Sequence, residues 1–179
     1  EALCPPPLKE LCNWAMARDV NDRPADAGVV AAELEAWLEG ARRSDEAKAI
    51  VARAAALEPE IRTLRLRSRR LREEATEAFK SVRPHEATEK KKPIWAMEDE
   101  AAALSRQASL KEVSYLQDLR GALVHVPDFP EAHARLAQYY RERHEEAESL
   151  RDSDFAAQLE VLLQAHDKSG RHGAYLKGD

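Results

Sequence analysis

Residues that favour β-strands are scarce in this chain of 179 residues. Ile, Val, Thr, Phe, Tyr and Trp together number 25, which is too few for a sandwich, a barrel or an α/β sheet. No apolar run of about 18 residues is present, so the sequence contains no candidate membrane span. The two cysteines, Cys4 and Cys12, are too few for a disulfide framework or a cysteine-rich metal site, which favours a reducing, cytoplasmic setting.

Helix-forming residues dominate instead. Ala, Glu, Leu, Arg and Lys account for 102 residues, a share typical of long helices or coiled coils. Charge is unevenly distributed, because residues 41–82 carry a net charge of +4 and residues 128–167 a net charge of −6. Segments of opposite charge are expected to attract each other or to bind separate partners.

The start of the chain lacks the features of a complete amino terminus. It begins with Glu1 rather than Met, and no charged-then-apolar signal pattern follows. We therefore expect the chain to be a piece of a longer protein.

Two short helices are predicted in residues 1–43. The first spans Leu8 to Arg18, and residues 19–22 form a turn. The second begins near Pro24, ends near Gly40 and carries an apolar stripe on one face. That stripe consists of Val30, Leu34, Trp37 and Leu38.

Residues 44–126 are predicted to form a long antiparallel helical hairpin. Ser44 begins its first helix, and Pro59 is expected to kink that helix or to divide it in two. Residues 83–93 form a polar loop, and a second helix runs from Ile94 to about Val126. The apolar seam of the first helix consists of Ala47, Ile50, Ala54, Leu57, Ile61, Leu64, Leu71, Ala75, Ala78 and Val82.

The seam of the first helix follows an a/d heptad pattern in which only Ser68 is out of place. The second helix carries a matching seam, in which Lys111 interrupts the pattern and shifts its phase by one residue. Such sustained heptads predict a helical partner, and the sequence leaves open whether the hairpin closes within one chain or between two. The second seam consists of Ile94, Met97, Ala101, Leu104, Ala108, Tyr115, Leu119, Ala122 and Val126.

Residues 127–179 are predicted to form a pair of shorter helices and a tail. The helices run from about Glu131 to Ser149 and from about Asp152 to Asp167, each with one apolar face. Tyr175 and Leu176 are expected to begin a strand. The predicted fold is therefore all-α: two short helices, a long hairpin and a helical pair.

The amino-terminal segment resembles the last two helices of a bacterial Ser/Thr protein kinase catalytic domain. The similarity covers about 40 residues and is carried by LCNWAMARDVNDRP at 11–24 and ELEAWL at 33–38. The resemblance implies structural roles for Asp19, Arg23 and Trp37, and it implies that Arg23 pairs with a glutamate of the activation segment that this chain lacks. Val20 stands where that family usually has proline.

The sequence contains no catalytic machinery of its own. Kinase chemistry needs a Gly-rich loop, a phosphate-binding lysine, a catalytic aspartate and a metal-binding aspartate, and neither G-x-G-x-x-G, H-R-D nor D-F-G occurs. The six histidines also lack the spacing of a metal site. We therefore expect no cofactor or metal in this fragment, with ATP and magnesium belonging to the parent kinase that the resemblance implies.

A second resemblance concerns the helical pair. Ala122, Pro127, Ala132, Leu136, Ala137 and Tyr140 are similar in spacing to the junction between tetratricopeptide-type repeats. An ordinary helical hairpin with alanine at its contacts is the alternative. The order of segments also resembles the regulatory extension of large multidomain bacterial kinases.

Two features are candidate interaction sites. Arg62, Arg65, Arg69 and Arg72 form a stripe beside the hydrophobic seam, which either binds phosphate or another anionic partner or pairs with acids of the hairpin such as Glu98, Asp99, Glu100, Glu73 and Glu74. Trp95 follows Pro93 and either clamps the hairpin loop or binds an external ligand. Trp14 and Trp37 are predicted to anchor the first two helices to each other.

The sequence therefore predicts a non-catalytic regulatory, spacer or protein-interaction fragment of a bacterial Ser/Thr kinase. Its expected partners are its own catalytic domain and a downstream domain in cis, other proteins, and a second copy of the chain, but no membrane. The alternative is a helical module that binds nucleic acid or another anionic partner through the arginine stripe.

Overall fold

The computed structural model describes residues 4–82 and 88–178, and all regular structure in those ranges is helical. The predicted all-α class is confirmed. Six α-helices are named in chain order: α1 (Pro6–Ala15), α2 (Ala27–Ser81), α3 (Thr88–His125), α4 (Pro130–Ser149), α5 (Ser153–His166) and α6 (Gly173–Leu176), with a 3-10 turn at Val20–Asp22. Across the described ranges, no helix combines the length and apolar character needed to cross a bilayer.

Helices α2 and α3 pack side by side as an antiparallel hairpin. Three pairs set the register: the Glu46 carboxylate lies 3.0 Å from His125, Arg53 bonds Asp118, and Arg67 lies 2.7 Å from Glu100. As residue numbers rise along α2 they fall along α3, so the seam closes within one chain. The predicted hairpin is confirmed.

The predicted helix end at Gly40 and new helix start at Ser44 are wrong, because α2 continues through both. It begins at Ala27, where the Asp26 carboxylate accepts a hydrogen bond from Val29 N at 3.1 Å. A glycine inside a helix costs only about 1 kcal/mol relative to alanine, and ion pairs one turn apart cross the expected break.

Those ion pairs join residues 39 to 46. Glu39 accepts hydrogen bonds from Arg42 and Arg43, each at 3.0 Å, and the Arg42 guanidinium also bonds Glu46 at 3.1 Å. The bonds from Arg42 and Arg43 lower the pKa of Glu39 to about 2. The boundary predicted between residues 43 and 44 therefore lies inside one continuous helix of 55 residues, about 80 Å long.

Pro59 does not divide α2, so that part of the prediction is also wrong. Its ring removes one backbone hydrogen bond, but contacts on both sides hold the helix together. Leu57 and Ile61 belong to the core, and the Glu58 carboxylate bonds both Tyr115 and Arg135. The Thr63 hydroxyl donates to Pro59 O at 2.8 Å.

The predicted loop at 83–93 is wrong where it can be compared, since α3 already begins at Thr88. Glu89 lies in the first turn, where a carboxylate interacts favourably with the helix dipole, and Lys92 lies 3.6 Å from it. Residues 83–87 of that prediction lie outside the described residues.

One end of the hairpin forms a core with the shorter helices. Helix α4 packs on α2 and α3, and α5 packs on α4, with bounds within a residue or two of those predicted. The core side chains are Ala47, Val51, Ala54, Ile61, Tyr115, Leu119, Ala122, Ala132, Leu136, Ala137, Tyr140, Ala147, Ala156, Leu159 and Leu163. The predicted strand at Tyr175 and Leu176 is wrong, because α6 forms there and Tyr175 Oη lies 2.6 Å from His144 Nδ1.

Away from that core, small side chains fill much of the hairpin seam, together with the buried Ile94 and Leu104. Ala75, Ala101 and Ala108 are at most 2% exposed, which allows the two helices to approach closely. Ser68, the apparent break in the seam, is buried among them and its hydroxyl donates to Ala101 O at 2.8 Å. Ser68 is therefore part of the seam, in which a small side chain is required.

We expect Ser68→Leu to destabilise the protein by about 1–3 kcal/mol, because the larger side chain forces apart a seam built from alanine. Ser68→Ala should cost about 1 kcal/mol or less, since it only removes one hydrogen bond. Urea unfolding followed by circular dichroism measures both values. A Ser68→Leu variant more stable than wild type would show that the position is an underfilled heptad site.

Candidate interaction surfaces

The kinase-like residues form a local turn between α1 and α2. The Asp19 carboxylate accepts a hydrogen bond from Asn21 N at 2.9 Å, and Arg23 Nε donates to Ala17 O at 2.7 Å. Within the described part of residues 1–43, no side chain is buried. Trp14 is 40% exposed and Trp37 is half-buried, so the two predicted anchors leave much apolar surface open.

The arginine stripe divides into one paired and three unpaired residues. Arg65 lies 2.5 Å from Glu112 and 3.6 Å from Glu146. Arg62, Arg69 and Arg72 are exposed, and none of them forms an ion pair with a residue that the structure describes.

Two of the acids predicted to pair with the stripe bond other arginines instead. Glu100 pairs with Arg67 and Glu74 with Arg70, 2.9 Å away. The other three acids form no ion pair with a residue that the structure describes.

Glu112 occupies the seam at the point where the heptad phase changes. It is 8% exposed and follows Lys111, which reaches out to Glu60 at 2.5 Å. In the described part of the chain Glu112 Oε1 has no aligned hydrogen-bond donor, so the Arg65 guanidinium supplies its charge compensation. The predicted phase shift thus brings a buried carboxylate, rather than an apolar residue, into the seam.

A groove of about 680 Å³ lies between α2, α4 and the turn at residues 167–172. We call it the α2–α4 groove. Leu66, Pro130, Ala134 and Tyr139 provide apolar surface in it. Its charged lining consists of Glu58, Arg62, Arg65, Arg69, Glu112, Glu131, Arg135, Glu142, Asp167 and Arg171.

A hydrogen-bonded network closes the base of this groove. The Glu58 carboxylate accepts hydrogen bonds from Tyr115 Oη at 3.0 Å and from Arg135 Nη1 at 2.6 Å, and Arg135 also bonds Glu131. Burial, assisted by the neighbouring Glu58 carboxylate, raises the pKa of the Tyr115 hydroxyl. The network joins α2, α3 and α4, and it holds the three helices together rather than transferring protons.

A second cleft, of about 710 Å³, lies on the other side of Arg65 and Arg69. Residues of α2 and α3 line it together with Arg143 and Glu146 of α4. Arg72 and Lys80 face it beside Glu73 and Glu77, so that basic and acidic side chains alternate there.

Trp95 lies on α3 beside the buried Ile94 and is 41% exposed. Its predicted role as a clamp concerns a loop whose residues 83–87 lie outside the described ranges. Its role as a ligand site stays a prediction.

A pair of histidines links the end of α5 to the start of α4. His133 Nδ1 lies 2.9 Å from His166 Nδ1, and His133 Nε2 lies 2.9 Å from Pro127 O. Because a carbonyl only accepts, His133 Nε2 carries a proton, and in neutral His133 Nδ1 accepts the bond from His166. Burial, followed by the charges of His133, Arg120 and Lys168, lowers the pKa of His166.

The sequence analysis missed this pair and the burial of Glu112. His133 and His166 lie on different helices, so no local spacing could connect them. The phase shift at Lys111 was the one available signal for Glu112. Among the described residues, no group of His, Cys, Asp or Glu could hold a metal ion.

Comparisons with known proteins give no relatives. No family model, no curated protein and no solved structure matches this chain. The resemblances described above therefore depend on the sequence motifs alone.

We expect Arg65→Ala to destabilise the protein by about 1–3 kcal/mol, because it leaves the buried Glu112 carboxylate without a partner. Adding Glu112→Leu should restore most of the lost stability, since the seam then holds an apolar side chain. Arg67→Ala is the matched control; its exposed pair with Glu100 should contribute about 0.5 kcal/mol or less. Equal losses for Arg65→Ala and Arg67→Ala in urea unfolding would contradict this role of Glu112.

We expect stability to fall as the pH drops below about 6.5, the ordinary value from which the pKa of His166 is lowered in the folded state. The unfolded chain then binds a proton more readily than the folded chain, so this contribution is complete above pH 6.5 and is lost towards acid. Urea midpoints compared at about pH 7.5 and pH 5 measure the loss. The His166→Gln variant keeps an N–H donor for His133 and should lose less stability than wild type between the two pH values. A loss as large as that of wild type would assign the effect to other groups.

Proposed function

We propose that this chain is a non-catalytic helical spacer and interaction module of a bacterial Ser/Thr protein kinase. Its partners are the kinase's own catalytic domain, a downstream domain in the same protein and other cytoplasmic proteins. ATP and magnesium act in the catalytic domain, and this module holds no cofactor. The proposal depends on the motif at residues 11–24 and 33–38 and on its place at the start of α2.

The observation that carries the proposal is the continuity of α2. The helix begins inside the kinase-like segment and runs to Ser81 at the far end of the hairpin. A continuous helix transmits orientation, whereas a flexible linker does not. A catalytic domain joined to α1 would therefore be held at a fixed position relative to the hairpin and to the α4–α5 pair.

Exposed apolar side chains of the first segment supply the surface for that domain. Met16 is 72% exposed, Val20 70% and Trp14 40%. They lie on α1 and on the turn that follows it, next to Arg23. A neighbouring globular domain would bury this cluster, as expected for an apolar patch at an interface.

The coding sequence upstream of Glu1 tests the proposal first, because it should encode H-R-D and D-F-G. In that longer protein, we expect Trp14 fluorescence to shift to shorter wavelength than in the present chain, since the indole becomes buried. Trp37→Phe with Trp95→Phe leaves Trp14 as the only reporter in this chain. The control is a variant in which Trp95 is the only tryptophan of this chain, and its fluorescence wavelength should not change. The absence of kinase motifs upstream, or an unchanged Trp14 spectrum, would contradict the assignment.

One observation favours a second function, binding of a nucleic acid or another polyanion. Arg62, Arg69 and Arg72 are exposed without ion pairs to described residues and lie on one side of α2. The stretch from 58 to 77 contains no Tyr or Trp on which bases could stack, so its arginines offer contacts to phosphate groups. Titration with duplex DNA and RNA at increasing salt distinguishes this function, because phosphate binding weakens steeply with salt.

A further inference from the structure

The amino-terminal part of α2 projects beyond its partner helix. His125 ends α3 opposite Glu46, so residues 27–45 of α2, which we call the arm, lie beyond the end of α3. No side chain of the arm is buried. Helix α1 packs on α2, and one face of the arm stays open.

The exposed face of the arm is apolar with acidic edges. Leu34 is 40% and Leu38 52% exposed. Glu33 and Glu35 flank them, and neither carboxylate bonds any residue that the structure describes. The arm therefore presents leucines framed by unpaired negative charge.

The α2–α4 groove has the opposite character. Leu66 is 60% exposed in it, and Arg62, Arg69 and Arg171 form no ion pair with any carboxylate of the described chain. The groove thus presents apolar surface framed by unpaired guanidinium groups.

The carboxylates of the groove are engaged already. Glu58 and Glu131 bond Arg135, and Glu112 pairs with Arg65. Asp167 accepts hydrogen bonds from the backbone N of Arg171 and His172, and Glu142 accepts one from the Gln138 amide. Glu142 and Asp167 keep their negative charge, because neutral groups donate these hydrogen bonds. A visiting acidic helix would therefore meet three arginines without an ion pair and two carboxylates without a cation partner among the described residues.

We propose that the arm of one copy of this chain docks in the α2–α4 groove of a second copy. The charges are complementary, and the dimensions agree. The groove follows α2 from Glu58 to Arg69, about 17 Å, and the exposed stripe from Leu34 to Ala41 spans about 11 Å. An amphipathic helix lying in an apolar groove with a charged rim is a common mode of recognition.

The positions of the two surfaces on α2 allow both contacts to form at once. Leu34 and Leu38 precede Arg62 and Leu66 by 28 residues, which is four heptads. A straight helix drifts by about 20° per heptad, so the two surfaces lie about 80° apart around α2, and both contacts form at once only if the paired helices coil around each other with a left-handed twist. Two copies of α2 running antiparallel would place each arm against the other copy's groove, in a closed two-fold dimer. Between the surfaces this side carries Ala41, Ala52 and Ala55, whose small side chains permit close approach.

Mass measurements on the purified chain test the dimer. We expect twice the mass of one chain by light scattering at about 100 μM, and a dissociation constant that rises with salt. Glu33→Arg with Glu35→Arg reverses the charge beside the leucines of the arm, and Arg62→Glu with Arg69→Glu reverses the charge at the rim of the groove. Each double variant alone should dimerise at least about tenfold more weakly. An equimolar mixture of the two should again form dimers, because each altered arm or groove then finds a complementary partner.

Arg106→Glu is the matched control, because Arg106 is exposed on α3 outside the groove; its dimer should be unchanged. Circular dichroism checks that every variant keeps its helices. A monomeric wild-type chain at about 100 μM, or a mixture that stays monomeric, would overturn the proposal, as would equal dimerisation by all variants. The dimer is measured on the present chain, in which Leu34 and Leu38 are exposed, whereas the proposed function is tested by the upstream sequence, so the two can fail separately. A catalytic domain that covered residues 33–38 would compete with the groove for the arm.

Discussion

Close packing of α2 against α3 through small side chains is the contact on which every other part of this structure depends. Alanine and serine at the seam bring the two backbones together, and the register that results decides which charges face each other. It places Asp118 opposite Arg53 and brings Glu112 within reach of the Arg65 guanidinium. It also leaves the arm of α2 without a partner, because α3 is shorter by 17 residues.

Among the described residues, the charge separation along the sequence produces a single ion pair between α2 and α4. The basic segment of α2 meets the acidic α4 at Arg65 and Glu146, while Arg135 of α4 bonds Glu58 in the reverse sense. These partly exposed pairs fix orientation more than they add stability. Because the acids of α4 also bond their own neighbours, as Glu145 bonds Arg141, several arginines of α2 are left over.

The sequence predicted the hairpin well because a heptad seam is a repeated signal. The phase shift at Lys111 is confirmed, and Tyr115, Leu119 and Ala122 are buried after it. The errors concern single residues that usually end helices. In a helix interior, glycine costs about 1 kcal/mol and proline about 3 kcal/mol relative to alanine. At Gly40 and Pro59, local ion pairs and core contacts outweigh these costs.

The site was less predictable than the fold, because its partners come from distant parts of the chain. In the sequence, Ser68 interrupts the heptad pattern of apolar residues. The need for a small side chain there depends on how closely the two backbones approach, which the sequence does not show. Arg65 was placed in the right stripe, but its partner depends on the hairpin register and could not be chosen among several acids. The contact between His133 and His166 depends on how α5 packs against α4, which the apolar faces of the two helices do not specify residue by residue.

A continuous α2 couples the two ends of the molecule mechanically. In an antiparallel pair centred near Ile50, each α2 would begin about 35 Å from the two-fold axis, which places the two starts about 70 Å apart. Anything attached before α1 would then be held at opposite ends of the dimer, too far apart for two attached domains of ordinary size to touch directly. A spacer built in this way would act by separation, because the rigid helix that presents its arm to a second copy would also keep the attached domains from meeting.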